Sequence, residues 1–384
     1  MSRTLASRAL LCALPFALVA CATPVQPTEN PSSASTILVP DETKPPKPPS
    51  QPVVSNAQPL SVAVPEFIRT TSAKYDVDAA YISSVMAKAQ MREGIIAAMS
   101  RPAEAKPWKD YRPIFISQQR ITAGKAFLAK HRAALDKVEA QYGVPAEIIV
   151  AIIGVETSYG GNTGSYPVVD ALYTLAFAYP RTNEPGRIER ENNREQFFRD
   201  ELAQLFAMGK ENGFDVTTLK GSYAGAMGWG QFMPSSYRDY AVDGNGDGKV
   251  DLFNNLDDVF ASVANYFVKK GGWKRGEPIV SRAVRAKGAA AFEPEGLEPR
   301  YTLEQLAARG YKPQTPIAGA GNATLLNLDG VNGPEYWLGY QNFYAITRYN
   351  ISKHYAMAVY QLSEAIAGRQ NPLAAAPASG RPGA

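Results

Sequence analysis

The chain has 384 residues, 45% of them hydrophobic and 20% charged, with a formal net charge of +4. That length holds one large domain or two to three smaller pieces with ample material for a core, and the composition excludes a multi-spanning membrane fold. Arg3 and Arg8 supply two of the four net charges and no dense Lys/Arg run exists, so charge points away from nucleic acid as a partner.

The N-terminus reads as an address. Arg3 and Arg8 precede an apolar run from Ala9 to Ala20, which is too short to span a bilayer. The run ends in Leu18-Val19-Ala20-Cys21, which resembles the lipobox of bacterial lipoprotein precursors. The resemblance implies a signal peptide over 1–20 and a lipid on Cys21. Ala22 is not acidic, which points the anchor to the outer membrane, facing the periplasm. Cys12 and Cys21 are the only cysteines, so the mature chain can form no disulfide within itself. A large core, a metal or both must then hold an exported fold.

Residues 21–60 are rich in Pro, Ser, Thr and Gln and read as a semi-stiff tether. From Val64 to about Phe267 the pattern is mostly helical. Apolar residues recur at helical spacing over Phe67–Met99 and again over Ile121–Tyr142, where Gly143 stops the helix. Val144-Pro145-Ala146-Glu147 starts a further helix that runs through Ile148, Ile149, Ile152 and Ile153 to Glu156. Leu172–Tyr179, with Asp170 read as its N-cap, and Gln196–Lys210 are also helical; Arg181–Arg194, charged and holding Pro185-Gly186, reads as a surface loop.

Past Trp273, residues 278–284 and 323–328 alternate like strands, and His354–Ile366 returns to helical spacing. The expected class is mainly α (α+β): a helical domain over 61–273 plus 331–368, a small β-containing subdomain over 274–330, and a disordered tail over 369–384.

The chemistry is bounded by what is missing. His131 and His354 are the only histidines, and no cysteine beyond Cys21 survives processing, which nearly removes a His-based zinc site or a Cys nucleophile. His131 sits among Lys and Arg on a helix and reads as solvent-facing. No phosphate-binding GxxxxGK[ST] loop is present. Glu156, four residues after Ile152 and eight after Ile148, shares their apolar face. Desolvation there would raise its pKa toward that of a general acid, but position alone leaves open a carboxylate that caps or salt-bridges a helix end.

The surrounding residues decide between them. Gly154-Val155-Glu156-Thr157-Ser158-Tyr159-Gly160 resembles the Glu-Ser/Thr signature of lytic transglycosylases and goose-type lysozymes. Residues 220–237, with Gly228-Trp229-Gly230-Gln231-Phe232-Met233-Pro234-Ser235, resemble the second motif of the membrane-bound lytic murein transglycosylase B family. Ser262-Val263-Ala264-Asn265-Tyr266-Phe267 and Phe343-Tyr344-Ala345-Ile346-Thr347-Arg348-Tyr349-Asn350 are similar to its third and fourth. Four blocks in family order, across about 65–365, imply a lysozyme-like catalytic core acting on peptidoglycan glycan strands.

The resemblance also implies roles. Glu156 is the acid/base, and Ser222, Gln231 and Asn350 line the cleft and bond sugar amides and hydroxyls. Tyr111, Tyr266, Tyr349 and Tyr355 pack against pyranose faces or orient Glu156. Ordinary glycosidases need two carboxylates, and no second acid stands out beside these motifs. Glu156 is therefore expected to protonate the glycosidic oxygen, helped by the substrate's N-acetyl group, and then to deprotonate the muramoyl C6 hydroxyl. The product is a 1,6-anhydro ring, formed without a cofactor by a chain expected to act as a monomer. A hydrolytic muramidase, a non-catalytic wall-binding lipoprotein and a calcium sensor are the alternatives; the last would need a partner hand.

Asp243-Gly244-Asn245-Gly246-Asp247-Gly248-Lys249 matches the EF-hand opening, in which carboxylates and a backbone carbonyl converge on a hard cation. Position twelve is Asn254 rather than Glu, so the loop must close later, as it does in the family. Asp243, Asn245, Asp247, Lys249 and Asp258 are the expected ligands of a structural Ca2+, with Asp257 next to the closing position.

Overall fold

A computed structural model describes residues 59–100, 106–317 and 319–369. The expected signal peptide, Cys21, almost all of the tether and all but the first residue of the tail lie outside the described residues. In chain order the helices are α1 (Leu60–Tyr75), α2 (Ala79–Met86), α3 (Glu93–Met99), α4 (Trp108–Phe115), α5 (Gln118–Lys130), α6 (Arg132–Tyr142) and α7 (Ala146–Thr157). After the short strand β1 (Tyr166–Pro167) come α8 (Val168–Phe177) and α9 (Ile188–Asn212), then β2 (Lys220–Gly221), α10 (Pro234–Tyr240) and α11 (Leu256–Lys269). The remainder is β3 (Val280–Arg285), α12 (Leu303–Ala308), β4 (Tyr311–Pro313), β5 (Thr324–Gly330), β6 (Gly333–Gly339), α13 (Gln341–Thr347) and α14 (Lys353–Ala367). The fold is thus mostly helical with small antiparallel sheets, and among the described residues no single helix is long and apolar enough to cross a membrane.

The long helical stretches of the sequence break where the backbone can be capped. Phe67–Met99 divides into α1, α2 and α3, because Asp76 turns left-handed at φ 52° and the Asp78 carboxylate accepts from Ala80 N to begin α2. Ile121–Tyr142 divides at His131, whose φ of −109° and ψ of 16° are not helical. That histidine is not simply solvent-facing: its ring lies 4.5 Å from Phe127 and 5.7 Å from Phe260, and is half-buried.

The segment read as a charged loop over 181–194 is helical from Ile188 onward. Glu191 and Glu195 are buried there. Glu191 accepts from Thr182 N and Oγ1, while Glu195 pairs with Arg181 and Arg199. Buried acids with such partners are internal ties, while residues 183–186, 188 and 189 remain exposed as a surface segment should. Asp170 is likewise inside α8, not its cap, and holds Arg92 at 2.6 Å and Gln90 N at 2.9 Å.

The central helix is α7. Every residue from Ala146 to Val155 is buried, which the uninterrupted Ile/Val/Ala text requires of a core helix. It packs against α14, α5, α6 and α11, so Glu156 at its end is positioned from four sides. The strands near the C-terminus form a sheet in the order β4-β3-β6-β5, all antiparallel. Alternation along β5 splits the faces: Leu326 and Leu328 join the main core, whereas Leu325 packs with Ala283, Leu306, Tyr311 and Leu338 in a second, smaller one. This sheet takes in β6, so it reaches past the 274–330 bounds drawn from alternation alone; Gly330-Val331-Asn332-Gly333 is its hairpin turn, not a domain border.

Candidate active site

Glu156 is half-buried in the last turn of α7, and the structure brings three of the four sequence motifs to it. The turn that follows is tightly constrained. Ser158 and Tyr159 have φ of 51° and 60°, left-handed values that side chains seldom adopt. Thr157 fixes them: its Oγ1 accepts from Gly160 N at 3.0 Å and donates toward Trp229 O at 3.1 Å, tying the first motif to the second. From α5, Arg120 donates to Gly154 O and Ser158 Oγ, satisfying a terminal carbonyl of α7 with a cation. Tyr159 Oη returns a bond to Arg120 O at 2.9 Å.

One tyrosine bonds the carboxylate and a second feels its charge. Tyr355, in the first turn of α14, donates its hydroxyl proton to Glu156 Oε1 at 2.5 Å. Tyr349 donates to Gly230 O at 2.6 Å. Both phenols are pushed well above their usual range, by burial first and then by the Glu156 charge, so both remain neutral donors. A Cβ at Gly230 would lie 2.9 Å from Tyr349 Oη and push that hydroxyl away. Next to it Gln231 holds φ 52° while its Nε2 donates to Thr163 O and Gly228 O, both at 3.0 Å. This leaves its Oε1 as an acceptor.

The remaining expected residues sort by depth. Tyr266 donates to Arg348 O at 2.6 Å and its ring lies 4.9 Å from that of Tyr349. Tyr111, Tyr266 and Tyr355 are 2, 8 and 3% exposed, too deep to offer a ring face to a sugar. Of stacking and orienting, the two roles expected of them, burial favours orienting. Ser222 and Asn350 are half-buried, Ser222 in the turn before the one that carries Gln231 and Asn350 next to Tyr349; Ser222 Oγ accepts from Ala226 N at 3.1 Å.

One acid was missed by the sequence reading. Glu201 on α9 is buried, and burial raises its pKa. It follows Phe198 by three and precedes Leu205 by four, an apolar-face spacing that was legible. It does not offer a second catalytic carboxylate. One oxygen accepts from Ser235 N at 2.9 Å and the other from Ser235 Oγ at 2.5 Å, so both hold the start of α10.

In the Asp243–Asp258 loop, Asp243 accepts from Gly246 N at 2.6 Å and Gly248 N at 2.7 Å, and Asp247 accepts from Lys249 N at 2.9 Å. Among the described residues no three His, Cys, Asp or Glu side chains stand close enough to hold a metal by themselves. A hard cation also takes Asn and backbone oxygens, and here the donor set is oxygen throughout. Asp258 is fully buried and accepts from Gly244 N and Asp251 N, both at 2.8 Å. Burial, and then the facing Asp243 charge, raise its pKa. Two mutually repelling carboxylates, one of them without Lys or Arg, fit a dication.

Comparison with known proteins agrees with this geometry. The Transglycosylase SLT domain family matches residues 61–364. Membrane-bound lytic murein transglycosylase B of Escherichia coli (strain K12) is 41% identical over 312 residues, covering 79% of this chain and 82% of that protein. The soluble lytic transglycosylase SltB1 of Pseudomonas aeruginosa superposes with a TM-score of 0.70 at 44% identity, over 80% of this chain and 99% of the other. The E. coli lytic transglycosylase Slt35, solved in complex with calcium, gives 0.70 at 38% identity, over 83% and 96%. The chain belongs to the SLT-domain lytic transglycosylases, enzymes that cleave peptidoglycan.

Proposed function

We propose that Glu156 is the sole acid/base of this peptidoglycan lytic transglycosylase. The observation that carries the reading is the pairing of Glu156 with Tyr355, while the other buried acid of the region, Glu201, is committed to Ser235. Protonated Glu156 gives its proton to the glycosidic oxygen between N-acetylmuramic acid and N-acetylglucosamine, and the C1–O bond breaks. The substrate's N-acetyl oxygen covers the cation at C1. Glu156, now ionised, takes the proton of the muramoyl C6 hydroxyl, whose oxygen closes on C1. The carboxyl ends as it began and no water is consumed. The neutral donors Tyr355 and Tyr349 hold the site through both steps, and Gln231, Ser222 and Asn350 bond the sugar's polar groups.

The direct test is mass spectrometry of murein sacculi digested by the chain without its first 58 residues and by Glu156→Gln. Anhydro-muramoyl ends from the first and none from the second are expected. Reducing-end muramic acid from the unsubstituted protein would overturn the transglycosylase mechanism in favour of a hydrolase.

Asp243, Asn245, Asp247, the Lys249 carbonyl and Asp258 would hold a structural Ca2+, which would neutralise the loop's acids and take no part in bond cleavage. The placement of the enzyme rests on Leu18-Val19-Ala20-Cys21: a monomer anchored through Cys21 to the outer membrane, facing the periplasm on the 21–60 tether. A Cys21→Ser chain should leave the membrane fraction; its retention there would contradict the anchor.

A further inference from the structure

The hydroxyl on Glu156 comes from the first turn of a helix, the part that frays most readily. Two contacts pin that turn. Ser352 Oγ caps it by accepting from Tyr355 N at 3.2 Å. The other is His354, whose ring is clamped in a box of α4 aromatics, 5.7 Å from Trp108 and 5.6 Å from Tyr111, with those two rings stacked 6.4 Å apart. Trp108 and Tyr111 are 1 and 2% exposed and His354 is 8% exposed, so the box is part of the core and not a cleft wall.

We propose that His354 is a positioning residue for the lytic reaction, which locks the first turn of α14 onto α4 and so holds the Tyr355 hydroxyl on Glu156. The proposal rests on the assignment of Glu156 as acid/base, and it gives the Tyr111 box a role behind the catalytic pair. The imidazole sits there at a cost. Its Nδ1 and the neighbouring Trp108 Nε1 are buried polar atoms without a partner among the described side chains, a cost that a phenyl ring at 354 would lower. What the side chain adds is its contact with both α4 rings, which holds the first turn of α14 against α4. A second tie joins α4 to α14, Arg112 donating to Gln361 Oε1 at 2.7 Å, and Lys109 reaches Asp329 on β5 at 3.4 Å.

The test is steady-state kinetics on soluble glycan-strand fragments, across pH, for His354→Ala, His354→Phe and Tyr355→Phe. A shift of about 1 Å in a catalytic group costs roughly 100-fold, so His354→Ala should lose about 10- to 100-fold in kcat at nearly unchanged KM. A tyrosine hydroxyl on the carboxylate favours its charged form, so loosening it should move the pH–rate profile upward, and Tyr355→Phe should do the same. His354→Phe keeps the ring in the box and should recover part of kcat. A His354→Ala protein whose pH profile is unmoved, and whose kcat falls only with its folded fraction, overturns the proposal. Loss of the Tyr355→Phe effect itself would instead strike at Glu156.

Discussion

Tyr355 Oη and Glu156 Oε1 stand 2.5 Å apart although 199 positions separate them in the chain. A hydrogen bond to a charged group contributes about 1.5–3 kcal/mol. If it is felt fully in the transition state, its loss in Tyr355→Phe corresponds to about 10- to 100-fold in kcat. With its hydroxyl on Glu156 and only 3% of its surface exposed, Tyr355 should leave KM for glycan fragments little changed when substituted. A rise in KM with kcat intact would instead make Tyr355 a substrate contact.

The site was legible in the sequence where it is written in contiguous residues. Glu156, the Gly230-Gln231 turn and the Tyr349-Asn350 turn each lie in a local motif, and α7 announces its burial through Ile148, Ile149, Ile152 and Ile153. The partners that reach across the fold were not. Arg120 meets Ser158 across 38 positions and Thr157 meets Trp229 across 72, contacts that no helical period encodes. Charge also misled where it is buried. The stretch over 181–194 has the composition of a solvated loop; it is one as far as Gly186, but from Ile188 it is helical, with Glu191 buried and Arg181 turned inward to Glu195. Depth was hidden too: a tyrosine is written alike whether it faces a sugar or, as Tyr111 does, a buried tryptophan.

His354 makes folding stability depend on pH. Burial first, and then the nearby Lys353 charge, lower its pKa to about 4, against 6.5 when free. Between those values the unfolded chain binds the extra proton and the folded chain does not, so stability rises with pH through this window and is level above it. The full contribution at neutral pH is at most roughly 3 kcal/mol, lost as pH falls from 6.5 toward 4. Urea unfolding of the wild type and His354→Phe at pH 4.5 and 7 isolates it. The substituted protein should lose less stability on acidification, and parallel losses in the two proteins would refute the assignment.

The acidic loop offers a test that does not depend on activity. Asp258 is fully buried and faces Asp243, so without a cation the folded state carries repulsion at this point that unfolding relieves. A dication that binds only the folded chain stabilises it by about 2.7 kcal/mol at a hundred times its Kd. For a chain of this size that corresponds to a rise in Tm of roughly 3–4 °C. Calcium should therefore raise the melting temperature of chelator-treated protein, and Asp243→Asn should abolish most of the rise. Magnesium, which is smaller and more reluctant to shed water, should do less. Melting curves that coincide with and without calcium would reduce the loop to an Asp/Gly turn whose carboxylates serve only their own backbone.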